Sequence, residues 1–379
     1  MSASVDQLVA RAVAATGLDD LGPWPWRDGL EVLVDALEHE ADLNELGQAI
    51  FDDRLGNSLR QRLQVQDWLC RHPEIGQVPV EGPVVVVGLP RTGTTALSNL
   101  LGADPATRAP EVWESAEPCP PPERASYRSD PRIAATQGGL DLLHELKPIM
   151  RIIHDDEATS VAESLDQLAL TFRAYQHIGM ASVPSYAAWW RACDLAPAYE
   201  LQRRVLQLMA WRCGPNRWHL RNPPDLFCLE TVVAVYPDVR FVWCHRDPAA
   251  VMASVCELVA EIRDLATDHV DRVAVGSEQL DDWAEATQRA LDGRARLGEE
   301  RFVDVWHRDF VADQLGTLGA VYDRIGWSFD APAEAAARRW VDDHGREAHG
   351  SHHPELGDYG LDAEHVRDRL SAYCTRFEV

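Results

Sequence analysis

Residues 83–95 read Pro-Val-Val-Val-Val-Gly-Leu-Pro-Arg-Thr-Gly-Thr-Thr, and this stretch decides the fold. Four consecutive valines without polar alternation suit a strand covered on both faces of a parallel sheet. From Gly88 to Thr95 the frame is G-x-x-x-x-G-x-[ST], set directly after that strand and directly before a helix. This is the frame of a P-loop, whose backbone N–H groups wrap a phosphate at a helix N-terminus. The position of the usual lysine holds Thr94, so the cation that spans the β- and γ-phosphates of a triphosphate is missing. Arg91 supplies positive charge from inside the loop instead. Pro90, Arg91, Thr92, Gly93, Thr94 and Thr95 are therefore the candidate phosphate-holding residues. Such a loop suits a terminal 5'-phosphate better than a triphosphate with Mg²⁺.

Residues 243–254 read WCHRDPAAVMAS. Arg246 falls just past the carboxyl end of a strand, where open α/β sheets bind ligands, and Ser254 lies two turns into the following helix. Arg-Asp-Pro is also an ordinary strand exit in which Asp247 caps the helix. An arginine fork with a hydroxyl from the adjacent helix makes a second anion site. Together with the loop it predicts a nucleotide carrying two separate phosphate groups.

Besides the strand at 83–88, strands are expected at 217–221 (RWHLR) and 239–244 (VRFVWC), and a fourth at 301–306 (RFVDVW). Pro224 is expected to open a helix running to about Val235. Strand–helix–strand–helix order implies an α/β fold, a P-loop-type parallel sheet flanked by helices. Residues 1–80 carry helical spacing (Val5, Leu8, Val9, Ala12, Val13, then Leu30, Leu33, Val34, Leu37) and read as a helical extension packed on the core. Residues 81–379 form the α/β domain, with a largely helical insertion at 135–212. The Pro-rich patch EPCPPPE at 117–123 is a rigid loop.

Composition restricts the partners. Thirty-six Lys and Arg stand against 61 Asp and Glu, a net charge of -25, which repels nucleic acid and anionic membrane. An anion site in such a body must be built locally, from backbone N–H groups and a few arginines. The 8 cysteines form no C-x-x-C pair, so zinc and thioredoxin-type readings fail and no metal-ligand spacing appears. Scattered cysteines, no export signal at the N-terminus and no apolar run of membrane length lead us to expect a cytoplasmic protein.

With these motifs in view, the chain resembles the PAPS-dependent sulfotransferases, in particular a bacterial branch with a helical N-terminal extension. GLPRTGTT at 88–95 resembles the family's 5'-phosphosulfate loop, and Arg240–Ser254 its 3'-phosphate motif. Between them RWHLRNPPDLFCLETVVAVYPDVRF is similar to a segment that usually reads W-x-L-K-S-P, a helix, then P-D-A-R. Trp113-Glu114, VPSYAAWW at 183–190 and HGSHHPELGDYGLD near the end are smaller echoes. Arg346 sits where the family often places a late basic contact to the nucleotide. One departure stands out: Arg221 and Asn222 replace the usual lysine and serine. Arginine can still donate to a bridging oxygen, with different reach and geometry.

The resemblance implies transfer of a sulfuryl group from 3'-phosphoadenosine 5'-phosphosulfate (PAPS) to a hydroxyl or amine of a small-molecule acceptor, in line and without a metal. It makes 135–212 the acceptor side. It assigns Arg91 and the loop N–H groups, with Arg221, to the leaving phosphate oxygen. His154 or Glu163 is implied as the base, and His219 and His307 at neighbouring strand ends come next. Ser160-Val-Ala-Glu163 also has capping-box spacing ahead of an apolar run. Tyr186, Trp189 and Trp190 suit an aromatic acceptor pocket or simply core. Three other readings stand beside this one: a P-loop kinase, a catalytically inactive PAPS-binding protein, and a sulfation that activates a hydroxyl for later loss or ring closure. The acceptor and any homo-oligomer are left open by the sequence.

Overall fold

The computed structural model describes residues 3–80, 82–153, 156–214, 217–344 and 354–379. His154 and Arg346 lie outside the described residues. Four strands form, β1 (Val84–Gly88), β2 (His219–Arg221), β3 (Arg240–His245) and β4 (Phe302–Trp306). They make one parallel sheet in the order β2-β1-β3-β4. The register pairs Val86 with Arg221 on one side of β1 and Gly88 with Cys244 on the other. Both phosphate motifs thus leave the same end of adjacent strands.

The valine run is explained by two separate cores. Val85 and Val87 join Leu220, Phe241 and Trp243 in the larger apolar cluster. Val84 and Val86 face the other way, against Leu97, Leu100 and Leu101 of the helix Thr94–Ala103 and Leu318 and Val321 of the helix Gln314–Ile325. Every residue of β1 is buried. Each such side chain contributes about 1.5–3 kcal/mol relative to exposure, so neither face tolerates a polar residue.

The N-terminal region forms the helices Val5–Thr16, Arg27–His39 and Glu45–Arg71. Ser4 and Gln7 close a capping box on the first, and Asn44 caps the third through the Gly47 N–H. Gly47 abuts the Ala266 carbonyl so closely that any Cβ there would clash. Leu8, Leu30, Leu33, Phe51 and Leu59 belong to the same core as Val85 and Trp243. Arg62, almost fully buried, donates to the carbonyls of Leu21, Trp24 and Leu170. Lost hydration pushes its pKa down to about 9, and the Arg173 charge adds to the shift.

Two local expectations are corrected. The segment after β2 does not start an α-helix at Pro224: a 3₁₀ turn spans Pro223–Phe227, and the α-helix runs Leu229–Val235. Two adjacent prolines lack N–H groups. The Asp225 carboxylate is meanwhile drawn to Asn222 and to the Tyr199 hydroxyl, holding the tight turn. The capping box at Ser160–Glu163 is also absent. Residues 158–162 instead pair with 110–113 through Val112 N–H to Ser160 O, Trp113 N–H to Ala158 O and Ala162 N–H to Pro110 O. The helix begins later, as Leu165–Ala169. Long-range pairing outweighs the local capping signal, and the Glu163 side chain is released for another partner. Among the described residues no helix is long and apolar enough to cross a membrane.

Candidate active site

The loop between β1 and the helix Thr94–Ala103 is set by its backbone. Gly88 has φ 148°, and a Cβ on it would lie 2.6 Å from the Cys244 carbonyl oxygen and 2.9 Å from Thr92 Oγ1. That near contact lets β1 and β3 release their two motifs side by side. Gly93, at φ 95°, turns the chain into the helix, and no side chain among the described residues caps that helix. Thr92 Oγ1 donates to the Leu89 carbonyl at 2.7 Å, closing the loop on itself. The helix's first-turn N–H groups have no intrahelical acceptor and carry the positive end of its dipole, the arrangement an anion requires.

Arg91 also has a positive φ, 68°, unusual for a residue with a side chain. Its guanidinium reaches away from the loop: Nε donates to Ser254 Oγ at 3.1 Å and Nη1 to the Ile153 carbonyl at 2.7 Å. Arg246 returns the connection, its Nη1 donating to the Arg91 carbonyl at 3.1 Å. Asp247 caps the helix Pro248–Ala266 at Ala249 N–H and takes an ion pair from Arg367 at 2.6 Å. Lost hydration lowers the pKa of both arginines, and for Arg91 the Arg246 charge adds to the shift. Two guanidiniums that repel each other beside an uncapped helix fit a ligand with two anionic groups.

Arg221 lies on the other side of the loop. It is almost completely buried, and its Nη1 donates to Thr95 Oγ1 while Nη2 donates to the Val161 carbonyl at 2.9 Å. Nη1 also stands 3.3 Å from Glu163 Oε1. Its Nε, buried, has no partner among the described residues. The strand register places Arg221 next to Val86, just ahead of the loop, and the pairing of 158–162 with 110–113 delivers Glu163 to it. Beneath them Asp225 accepts from Tyr199 and Asn222; burial pushes its carboxyl up to about 7, although those bonds oppose the shift. These partners escaped the sequence reading, since nothing marks Tyr199 as a neighbour of the NPPD segment.

The remaining candidates separate cleanly. His219 is buried in β2 and pushed down to about 4 by lost hydration. His307 lies over Gly93, its Cδ2 3.5 Å from where a Cβ would stand; burial, then the Arg246 charge, lower its pKa. Tyr186 and Trp190 are core: the Tyr186 hydroxyl donates to the Phe172 carbonyl, and Trp190 packs on Tyr175 and Phe227. Trp189 packs on Tyr186 and under Arg173. A cavity of about 340 Å³ opens along the helix Pro248–Ala266, lined in part by Ile149, Glu257, Glu261 and Tyr359. Glu257 and Glu261 follow Ser254 at helical spacing, so the face that meets Arg91 continues into this cavity.

The family model described as "Sulfotransferase family" matches residues 83–331, which contain both phosphate motifs, Glu163 and Arg221. The crystal structure of sulfotransferase STF1 from Mycobacterium tuberculosis H37Rv is 33% identical, with 98% of this chain and 99% of that one covered and a TM-score of 0.87. Sulfotransferase STF9 from Mycobacterium avium is 28% identical over 99% of this chain and 97% of its own, with a TM-score of 0.92. The curated omega-hydroxy-beta-dihydromenaquinone-9 sulfotransferase Stf3 of Mycobacterium bovis is 22% identical over 258 residues, 66% of this chain and 64% of that protein. The match thus spans less than two thirds of that relative's length. A P-loop-like turn and the Arg246 turn leaving the same end of the two central strands, a family model over most of the chain and near-complete structural overlap lead to one conclusion: this chain belongs to the sulfotransferase family.

Proposed function

We propose that the chain transfers a sulfuryl group from PAPS to a hydroxyl or amine of a small-molecule acceptor, without a metal and in the cytoplasm. The observation that carries this reading is the pair of bonds joining the two motifs, Arg91 to Ser254 and Arg246 to Arg91. They support reading the two turns as a 5'-phosphate loop and a second anion site within one nucleotide's reach. PAPS supplies the activated sulfuryl group, and its 3'-phosphate gives the second anion.

In this reading the loop N–H groups and Arg91 hold the 5' end, while Arg246 and Ser254 read the 3'-phosphate. Arg221, fixed by Thr95, Val161 and Glu163, directs a guanidinium to the oxygen on which charge collects as the bond to sulfur breaks. Glu163 takes the acceptor's proton, which its position beside both Arg221 and the end of the loop supports. The name of the curated Stf3 relatives refers to an omega-hydroxy-dihydromenaquinone, which supports a hydroxyl as the accepting group.

Two results are expected. Binding of adenosine 3',5'-bisphosphate, followed by calorimetry, is unchanged by EDTA, and Arg91→Ala weakens it by about 1.5–3 kcal/mol for each charge-assisted hydrogen bond lost. An absolute Mg²⁺ requirement, or ATP bound more tightly than PAPS, points instead to a kinase. Second, the bisphosphate is preferred to adenosine 5'-phosphate, and Arg246→Ala removes most of that preference while sparing the monophosphate. Tight bisphosphate binding with no turnover of PAPS on a broad panel of phenols, alcohols, sugars and amines would identify a binding protein rather than an enzyme.

A further inference from the structure

β3 leaves the sheet as His245-Arg246, and the histidine is part of a buried chain of hydrogen bonds that ends on the arginine. The guanidinium of Arg294, from the long helix Arg272–Leu297, grips Asp304 on β4 with two bonds of 2.6 and 2.8 Å. Asp304 Oδ1 lies 2.8 Å from His245 Nε2. His245 Nδ1 is 3.3 Å from the Tyr373 hydroxyl, and that same hydroxyl accepts from the Arg246 backbone N–H at 3.4 Å. Tyr373 belongs to the helix Ser371–Phe377 and is almost fully buried. Phe377 of this helix stacks on the imidazole with ring centroids 3.8 Å apart, and its carbonyl accepts from Trp306 Nε1.

Donor and acceptor bookkeeping fixes every proton in this chain. Arginine can only donate, and an ionised carboxylate can only accept. Burial would raise the Asp304 carboxyl, but the bonds from Arg294 and His245 outweigh it and hold it well below the usual carboxylate range. Burial lowers the imidazole of His245 against the pull of Asp304. A neutral His245 therefore carries its proton on Nε2, towards Asp304, and leaves Nδ1 as an acceptor. The Tyr373 hydroxyl must donate to Nδ1, so its oxygen is free to accept from the Arg246 N–H. No link can be reversed, and the last atom held is the backbone of the arginine.

We propose that His245 and Tyr373 are positioning residues for Arg246, so that the helix Ser371–Phe377 sets the preference for a nucleotide bearing a 3'-phosphate. This rests on the reading of Arg246 as the group that meets that phosphate. Among the described residues the guanidinium is tied only once, to the Arg91 carbonyl. Its aim is therefore governed by where the backbone starts, and Tyr373 holds that start.

The test is a calorimetric comparison of adenosine 3',5'-bisphosphate and adenosine 5'-phosphate on the full chain and its variants. Tyr373→Phe keeps the packing and removes only the hydroxyl. It is expected to cut the preference for the bisphosphate about five- to tenfold, less than the full loss of a charge-assisted bond because the guanidinium is displaced and not removed, with the monophosphate bound as before. His245→Asn, whose Oδ1 can stand in for Nδ1 as acceptor from Tyr373, retains more of the preference than His245→Leu. Arg246→Ala abolishes the preference. If Arg246→Ala abolishes it while Tyr373→Phe keeps the wild-type value, positioning is overturned and the reading of Arg246 stands. If Tyr373→Phe weakens both nucleotides equally, the residue is merely structural, and the proposal is likewise overturned. If Arg246→Ala leaves the preference intact, the reading of Arg246 falls and the positioning proposal with it.

Discussion

Glu163→Gln is expected to lower turnover by about 10²–10⁴-fold, the range for loss of a positioned general base. The substitution is nearly isosteric, and the new amide oxygen can still accept from Arg221. The guanidinium also keeps Thr95 Oγ1 and the Val161 carbonyl as acceptors, so its place beside the loop is preserved. Affinity for the bisphosphate and the melting temperature should therefore stay near wild type while the rate collapses. No capping role confuses the result, because the helix that follows starts at Leu165 and Ser164 precedes it. Steady-state rates with a saturating donor, together with calorimetry, measure both quantities. Near-wild-type turnover in Glu163→Gln would move the base to His154, or to His307 above the loop.

Arg221→Met should lower kcat by about 10²–10³-fold, the cost of removing one donor aimed at developing charge. Methionine keeps the length and apolar stem of the side chain. The carboxylate left behind, Glu163, is 24% exposed and stays hydrated, so the fold should survive. Arg221→Lys should recover only part of the loss. The guanidinium divides its acceptors between two nitrogens, Thr95 and Glu163 on Nη1 and the Val161 carbonyl on Nη2, a spread and reach that one compact ammonium does not reproduce. Binding of the bisphosphate, which lacks the transferring group, should change less than kcat. An unchanged kcat in Arg221→Met would show that this arginine only braces Glu163 and the loop.

Much of the architecture could be read from residue order. PVVVVG announced a strand buried on both faces, and the two cores that divide Val84 and Val86 from Val85 and Val87 are the reason. All four strands formed where β-branched and aromatic runs placed them. The loop after β1 was legible because its glycines are local requirements: Gly88 and Gly93 hold conformations and close approaches that a side chain would obstruct. Asp247 as a helix cap was legible for the same reason, since its partner is two residues away.

What the sequence did not show depends on long-range contacts. Ser160–Glu163 has the spacing of a capping box, yet pairing with 110–113 takes that segment out of any helix and sends Glu163 to Arg221. Tyr186 and Trp190 are aromatic in either setting, and only packing shows that they fill the core. The chain from Arg294 through Asp304, His245 and Tyr373 to Arg246 joins residues up to 128 positions apart, and no local pattern relates them. Residue order thus sufficed for the strands, the loop after β1 and the Asp247 cap after β3, because each rests on backbone conformation and periodicity among near neighbours. The tertiary structure alone decided which carboxylate meets Arg221 and what holds Arg246, because hydrogen bonds between distant residues form only once the sheet has fixed their geometry.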